Sequence, residues 1–352
     1  MFIDYLIIGQ GLAGSLLAWE LIQRNCKVII VDNGKENASR VAAGLINPIT
    51  GMRFVKSCDV DTLLPTAKQC YLELAEFFQQ TFYIEKPMLR LFRSDKELMH
   101  CLKRLDNPDY QNYLGSVVPP DLTINDLETP FGFLQQKQTG YLLTRPLLTC
   151  LQDFFIVRQC YRQADIDYQD IQLQPSLRWQ DIFPRKIIFC EGHHATNNPW
   201  FSWLPFQPVK GEILTLEHQS RLPDKILNFG DWLIPLKSNH IRIGATFDRE
   251  NLNNLPTERG KSDLLKSLKT ISAKLAQAAL INHQANIRPC TLDKQPFIGQ
   301  HPQLRQLAIF NGFGAKGSLQ IPWYSQHFVD ALLNNTPIPS NIQRHYATYF
   351  TG

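Results

Sequence analysis

Near the C-terminal end of the chain, "FNGFGAKGSLQIP" (310–322) sets one lysine, Lys316, among three glycines, Gly312, Gly314 and Gly317. Loops this rich in glycine let a backbone come close to a ligand, and the lysine would bring positive charge to the same place. A second constellation opens the chain. In "DYLIIGQGLAGSLLAWELIQRNCKVIIVD" (4–32), Gly9, Gly11 and Gly14 have G-x-G-x-x-G spacing, and Asp32 lies 18 residues beyond Gly14. The chemistry this suits is dinucleotide binding. Gly9 permits a tight turn, Gly11 lets a pyrophosphate approach, and Gly14 lets a helix pack on a strand. The helix start offers free N–H groups to the diphosphate, and the acid accepts from ribose hydroxyls. A βαβ unit with incidental glycines is the plainer alternative. The motif does not choose between NAD and FAD.

The elements that must carry these residues can be read around them. Leu6–Ile8 and Val28–Val31 are apolar runs that fit buried parallel strands. Leu16, Leu17, Leu21 and Ile22 mark the packed side of the helix between them. "SRVAAGLINPITGMRF" (39–54) reads as a loop, followed by a helix over roughly 62–82 with Pro65 near its first turn. Ser94 and Glu97 have capping-box spacing for a helix near 95–105, and 106–140 is loop- and strand-like. Thr144 is placed to cap a helix running toward Phe155, with Pro146 in its first turn. "RKIIFCEG" (185–192), "GEILTLE" (211–217) and "LAIFNGFG" (307–314) read as strands. "DWLIPLKSNHIRIGATF" (231–247) reads as a hairpin turning at Ser238-Asn239, with a helix near 260–280 after it.

Strand–glycine units thus recur at the start, the middle and the end of the chain. The fold class expected is α/β: a discontinuous Rossmann-like domain from 1–61, 141–205 and 283–352. The insertions 62–140 and 206–282 would form an α+β substrate domain on an antiparallel sheet.

Composition bounds the alternatives. At 352 residues, 44% hydrophobic and 19% charged, the chain suits about two ordinary domains of ~150 residues. A net charge of +4 falls short of a nucleic-acid-binding tail. None of the eight cysteines pair with C-x-x-C spacing, so no metal site is expected and free thiols in a reducing compartment are. No apolar stretch approaches the about 20 residues of a membrane span, and the first apolar run lacks a signal-peptide pattern. A soluble, cytoplasmic protein with no membrane partner is the expectation.

Eight segments in order resemble the D-amino-acid oxidase superfamily of FAD-dependent amine oxidoreductases: "IIGQGLAGS", "SRVAAGLINP", "GYLLTRPLLTCL", "KIIFCEGHH", "PVKGEILTL", "WLIPLKSNHIRIGATF", "IRPCTLDKQPFIGQHP" and "FNGFGAKGSLQIP". The resemblance is to the glycine and sarcosine oxidases and to the flavin domain of a bifunctional tRNA-modifying protein. It implies FAD, held by Gly9, Gly11, Gly14 and Asp32 at the ADP half. Ser39, Arg40, Ala43, Gly44 and Asn47 would lie along the diphosphate and flavin edge, and Gly192 beside the cofactor. The loop Gly312, Gly314, Ala315, Lys316, Gly317 would pass the pyrimidine end of the ring. Hydride would pass from the α-carbon of an amine to flavin N5, water would hydrolyse the imine, and oxygen or another acceptor would reoxidise the flavin.

The resemblance also suggests that Arg288, in "IRP", grips a substrate carboxylate and that Lys316 does so in one branch. The plainer alternatives are that Arg288 pairs with a carboxylate of the fold and that Lys316 only neutralises reduced flavin. Arg53 and Lys56 would reach the flavin or a second anionic group, or make surface ion pairs. Cys290 stands away from the position of covalent attachment, so FAD is expected to be non-covalent. Glu191 departs from the family's pattern and is expected to face solvent or pair with Arg185. His193 and His194 are expected in a loop near the cofactor.

Three functions remain open. The first is oxidation of a small amine or amino acid resembling an N-substituted glycine. The second is removal of a carboxymethyl group from a wobble uridine of tRNA, supported by similarity at "CEGHH", "IGATFDRE" and "NTPIP" but less favoured for want of a methyltransferase half. The third is a flavin-binding protein without turnover.

Overall fold

The computed structural model describes residues 1–120, 124–334, 336–338 and 348–350. Residues 121–123 of the expected 106–140 segment, and Asn335 and Pro339 of "NTPIP", lie outside the described residues.

The first layer is a six-stranded sheet. Its strands run in the spatial order Tyr161–Gln163, Val28–Asp32, Phe2–Ile8, Phe183–Phe189, Leu307–Asn311 and Phe297–Gln300. The first five are parallel and the last is antiparallel. Side chains alternate along these strands, so two cores form on opposite faces. Tyr5, Ile7, Ile30, Ile188 and Phe310 pack into one core, and Leu6, Ile8, Ile29, Ile187 and Ile309 into the other. Helices Leu12–Gln23, Val60–Phe78, Thr144–Val157 and Gly317–Asn334 all contribute to the first of these. The chain enters the sheet at Phe2–Ile8, moves outward to one side, and returns to the other at Phe183–Phe189. Strand order reverses there, and a crevice opens beyond the C-terminal ends of the strands.

The second layer is an eight-stranded sheet, ordered Ala279–Arg288, Val209–Glu217, His240–Gly244, Trp232–Pro235, Ile226–Asn228, Met88–Leu91, Phe133–Gln136 and Leu114–Val118. It is antiparallel except where Ile226–Asn228 lies parallel to Met88–Leu91. One face is apolar. Leu214, Leu216, Leu227, Leu233, Ile241 and Ile243 pack there beneath Leu264 and Leu268 of the helix Glu258–Lys269. The other face looks toward the first layer and carries residues that sequence alternation sets opposite: Gly211, Ile213, Asn228, Trp232 and Arg288.

Several local expectations are met and some are corrected. Ser238 and Asn239 both have φ of 58°, which a two-residue hairpin turn requires. Ser94 accepts from the Glu97 N–H at 3.3 Å, but the Glu97 carboxylate goes to Arg90 and Arg93 instead of closing the capping box. Thr144 does not cap its helix; its hydroxyl donates to the Ala42 carbonyl at 3.3 Å. The helix expected over 62–82 ends at Phe78, where Gln79 turns left-handed at φ 53°. The helix expected near 260–280 ends at Lys269, and a separate 3₁₀ turn, Leu275–Gln277, precedes the edge strand that begins at Ala279. The segment expected as a loop over 39–54 takes in most of a short helix, Ala38–Val41, and two short strands, Leu45–Ile46, paired with Gly140–Leu142, and Ile49–Thr50, paired with Val55–Lys56.

Candidate active site

A cavity of about 1000 Å³ runs between the two sheets, from Asp32 at one end to Arg288 and Lys316 at the other. That is the upper end of the usual range for a ligand site.

The N-terminal turn is built by close backbone contact. A Cβ on Gly9, whose φ is +104°, would stand 2.5 Å from the Cys190 carbonyl oxygen. One on Gly14 would stand 1.9 Å from the Gly9 carbonyl oxygen. Gly14 therefore does not line the cavity; it lets the helix Leu12–Gln23 sit down on the turn. Gly11 lines the cavity as the residue before that helix. The Ser39 hydroxyl accepts from the Leu12 N–H at 3.0 Å, which ties the second segment to the helix start. The Asp32 carboxylate accepts from the N–H groups of Gln10 and Gly34, each at 2.7 Å. Each of its oxygens keeps a lone pair for a ribose hydroxyl.

Ala43, Gly44, Asn47 and Gly192 all line the cavity. Arg40 does not. Its guanidinium turns to Gln152 Oε1 at 2.9 Å and Gln10 Oε1 at 3.3 Å, so it braces the loop against the helix Thr144–Val157.

At the far end, Gly314, Ala315, Lys316 and Gly317 line the cavity; Gly312 does not, and a Cβ on it would stand 2.8 Å from Thr291 Cγ2. Lys316 is half-buried, and its Nζ donates to Ser57 Oγ at 3.3 Å. Burial, with Lys294 nearby, lowers its pKa. Arg288 projects from the edge strand Ala279–Arg288, and both Nη atoms donate to the Thr246 carbonyl at 3.3 Å. Burial lowers its pKa also. Among the described residues no carboxylate pairs with it, which removes the fold-internal ion pair as its purpose. Arg53 is exposed and lies off the cavity wall; its backbone carbonyl accepts from Arg104 Nε at 3.3 Å. Lys56 is taken by Asp61 at 2.5 Å.

Cys290 does not line the cavity. Glu191 does, and it neither faces solvent freely nor meets Arg185, which pairs with Asp4 at 3.6 Å. Instead the carboxylate accepts from the Tyr168 hydroxyl and Asn198 Nδ2, each at 2.8 Å. Burial outweighs those two bonds and pushes its pKa up to about 7. His193 and His194 line the same stretch, rings 4.1 Å apart; burial and His194 pull His193 down to about 4. Sequence reading did not pick out Gly211, Trp232, Asn228, Arg90 or Tyr168. Strand alternation marks the face that Gly211, Trp232, Asn228 and Arg90 occupy, but not that the face covers a ligand; Tyr168 sits in the turn Tyr168–Asp170, where no such signal exists.

These residues fit a dinucleotide cofactor. The glycine turn admits a backbone-close ligand, an acid waits at the ribose position, and the cavity continues past that cradle to a cationic end. The family described as FAD dependent oxidoreductase, DAO, matches residues 4–331. The tRNA 5-methylaminomethyl-2-thiouridine biosynthesis bifunctional protein MnmC of Marinobacter nauticus is 23% identical, across 93% of this chain and 55% of its own length. Glycine oxidase of Pseudomonas putida is 29% identical, across 38% of this chain and 37% of its own. The chain thus spans about half the length, or less, of these curated relatives. Among solved structures, glycine oxidase from Bacillus cereus superposes with a TM-score of 0.82 at 20% identity, covering 97% of each chain. Iminodiacetate oxidase from a Chelativorans species gives 0.78 at 21% identity, covering 97% and 98%. Among the described residues no helix is long and apolar enough to cross a membrane. Cradle, sheet order and family match agree, and the chain belongs to the DAO family of FAD-dependent oxidoreductases.

Proposed function

We propose that the protein oxidises the C–N bond of a small amine bearing a carboxylate, an N-substituted glycine or similar amino acid. The observation that carries this is Arg288: a half-buried guanidinium in the cavity wall with no carboxylate beside it among the described residues. A desolvated cation costs free energy until an anion arrives, and a planar guanidinium suits a two-point carboxylate grip. Non-covalent FAD, when bound, supplies the ring that takes hydride from the carbon next to nitrogen; oxygen or another acceptor then takes the electrons.

The chain's own residues orient and charge the site. Gly9, Gly11 and Asp32 hold the nucleotide end, on the turn that Gly14 lets the helix pack against. Ala43, Gly44, Asn47 and Gly192 line the passage between. The loop 312–317 and the start of the helix Gly317–Asn334 supply N–H groups and Lys316, which favour negative charge at that end. Ser57 holds the Lys316 ammonium. Trp232 and Ile213 exclude water from the opposite wall. In this reading the six-stranded layer is the cofactor domain and the eight-stranded layer the substrate domain, in the cytoplasm.

Arg288→Ala should raise KM for the carboxylate substrate at least about 30-fold, some 2 kcal/mol, with FAD still bound. Unchanged kinetics would take Arg288 out of the site. A second reading, a tRNA wobble-uridine side chain that ends in an N-substituted glycine, is favoured by the alignment to MnmC across 93% of the chain. It requires RNA binding that weakens steeply with salt.

A further inference from the structure

Among the described residues Arg288 is held in place without a carboxylate, and the way it is held bears on selectivity. A Cβ on Gly211 would stand 1.9 Å from Arg288 Nη2 and 2.3 Å from Cζ. The guanidinium therefore lies directly on the Gly211 backbone, in space that any other residue would fill. Its two Nη atoms converge on one acceptor, the Thr246 carbonyl. That carbonyl takes the inner N–H of each. The Nε–H and one outer N–H on each Nη have no acceptor among the described residues, so a donor edge stays open for a carboxylate.

Thr246 is itself pinned. Its hydroxyl accepts from the Glu212 N–H at 2.9 Å, and its own N–H donates to the Glu212 carbonyl at 3.3 Å. Glu212 is anchored on the other face of the sheet, where its carboxylate accepts from the Thr257 N–H and hydroxyl, both at 2.8 Å.

We propose that Gly211 and Thr246 are positioning residues that set the Arg288 guanidinium for two-point capture of a carboxylate, and so determine preference for acids over their neutral amides. This rests on the carboxylate role of Arg288 proposed above. A neutral acceptor orients the cation without neutralising it; a carboxylate in its place would cancel the charge the substrate needs.

The test uses the FAD-loaded protein, titrated with acetate and with its neutral isostere acetamide while flavin absorbance is followed. Wild type should bind acetate in preference to acetamide. Gly211→Ala should weaken acetate at least tenfold with FAD stoichiometry unchanged. Gly211→Ala combined with Arg288→Ala should bind no more weakly than Arg288→Ala alone, because both changes remove one interaction. Thr246→Val should weaken acetate severalfold, and Thr246→Ser, which keeps the hydroxyl, should restore it; this pair decides if Gly211→Ala does not fold. Acetate binding that survives Arg288→Ala unchanged, or is absent in wild type, overturns the carboxylate role of Arg288 and the inference with it. Loss in Arg288→Ala with wild-type binding in Gly211→Ala and Thr246→Val overturns the inference alone. So does a loss from Gly211→Ala that adds in full to that from Arg288→Ala.

Discussion

A methyl group at Gly14 would meet the Gly9 carbonyl oxygen at 1.9 Å, and nothing flexible stands there to give way. Gly14→Ala should therefore push the first helix off the turn. The purified variant should carry FAD at well under half the wild-type flavin-to-protein absorbance ratio, and an unchanged ratio would contradict the packing role. Glu191 gives a pH prediction. Burial raises its pKa from 4.5 to about 7, so between those values the folded state holds a proton that the unfolded chain has released. Stability from this group is present below pH 4.5 and is lost as pH rises toward 7. Wild type should lose thermal stability from pH 5 to 8 relative to Glu191→Gln, and parallel profiles would contradict the assignment. The glycines were legible because turn sterics are local. Glu191 was not, since its environment is made by Tyr168 and Asn198, which only the fold brings to it. Arg40 and Arg53 mislead for a related reason: sequence places them beside the site but does not say which way a long side chain turns.

Elements were legible where one chain segment settles its own geometry, as in the Ser238-Asn239 hairpin and the first βαβ unit. Ends were less so. Thr144 has a cap's residue type, but the Ala42 carbonyl claims its hydroxyl. The strand Val209–Glu217 shows most clearly how an element serves the site. Gly211 and Ile213 face the cavity; Lys210 and Glu212 face the helix Glu258–Lys269. Lys210 is fully buried, 3.7 Å from the Glu212 carboxylate, and its Nζ donates to Asn253 Oδ1 at 2.9 Å. This ties the segment after Gly244, including Thr246, to the strand that carries Gly211. Lys210→Met would remove the ammonium beside Glu212 but leave it the Thr257 bonds and the His283 ring at 2.8 Å, and should cost about 2 kcal/mol, read as a lowered thermal midpoint of the FAD-loaded protein. A midpoint within a degree of wild type would mean that the buried pair anchors little.

Two large sheets dominate the described residues: one of six strands, assembled from distant pieces of chain, and one of eight, facing it across the cavity. The recurrence of strand–glycine units announced the first sheet, and the reversal of strand order at Phe2–Ile8 and Phe183–Phe189 puts those glycines around one crevice. The single parallel pair in the second sheet was not announced, because it joins Met88–Leu91 to Ile226–Asn228 across more than a hundred residues of sequence. Nor does the sequence name the amine, since residues as distant as Gly51, Gly211, Trp232 and Arg288 come together on the cavity wall only in the fold. The proposed function needs a flavin at one end of the cavity and a carboxylate-bearing amine at the other. The most direct measurement is the visible spectrum of the purified, FAD-supplied protein, recorded without oxygen before and after adding glycine, sarcosine or proline. A flavin spectrum that bleaches with at least one of them is the expected result. A bound flavin that none of them reduces would contradict oxidation of these small amino acids and move the weight to tRNA or another large substrate.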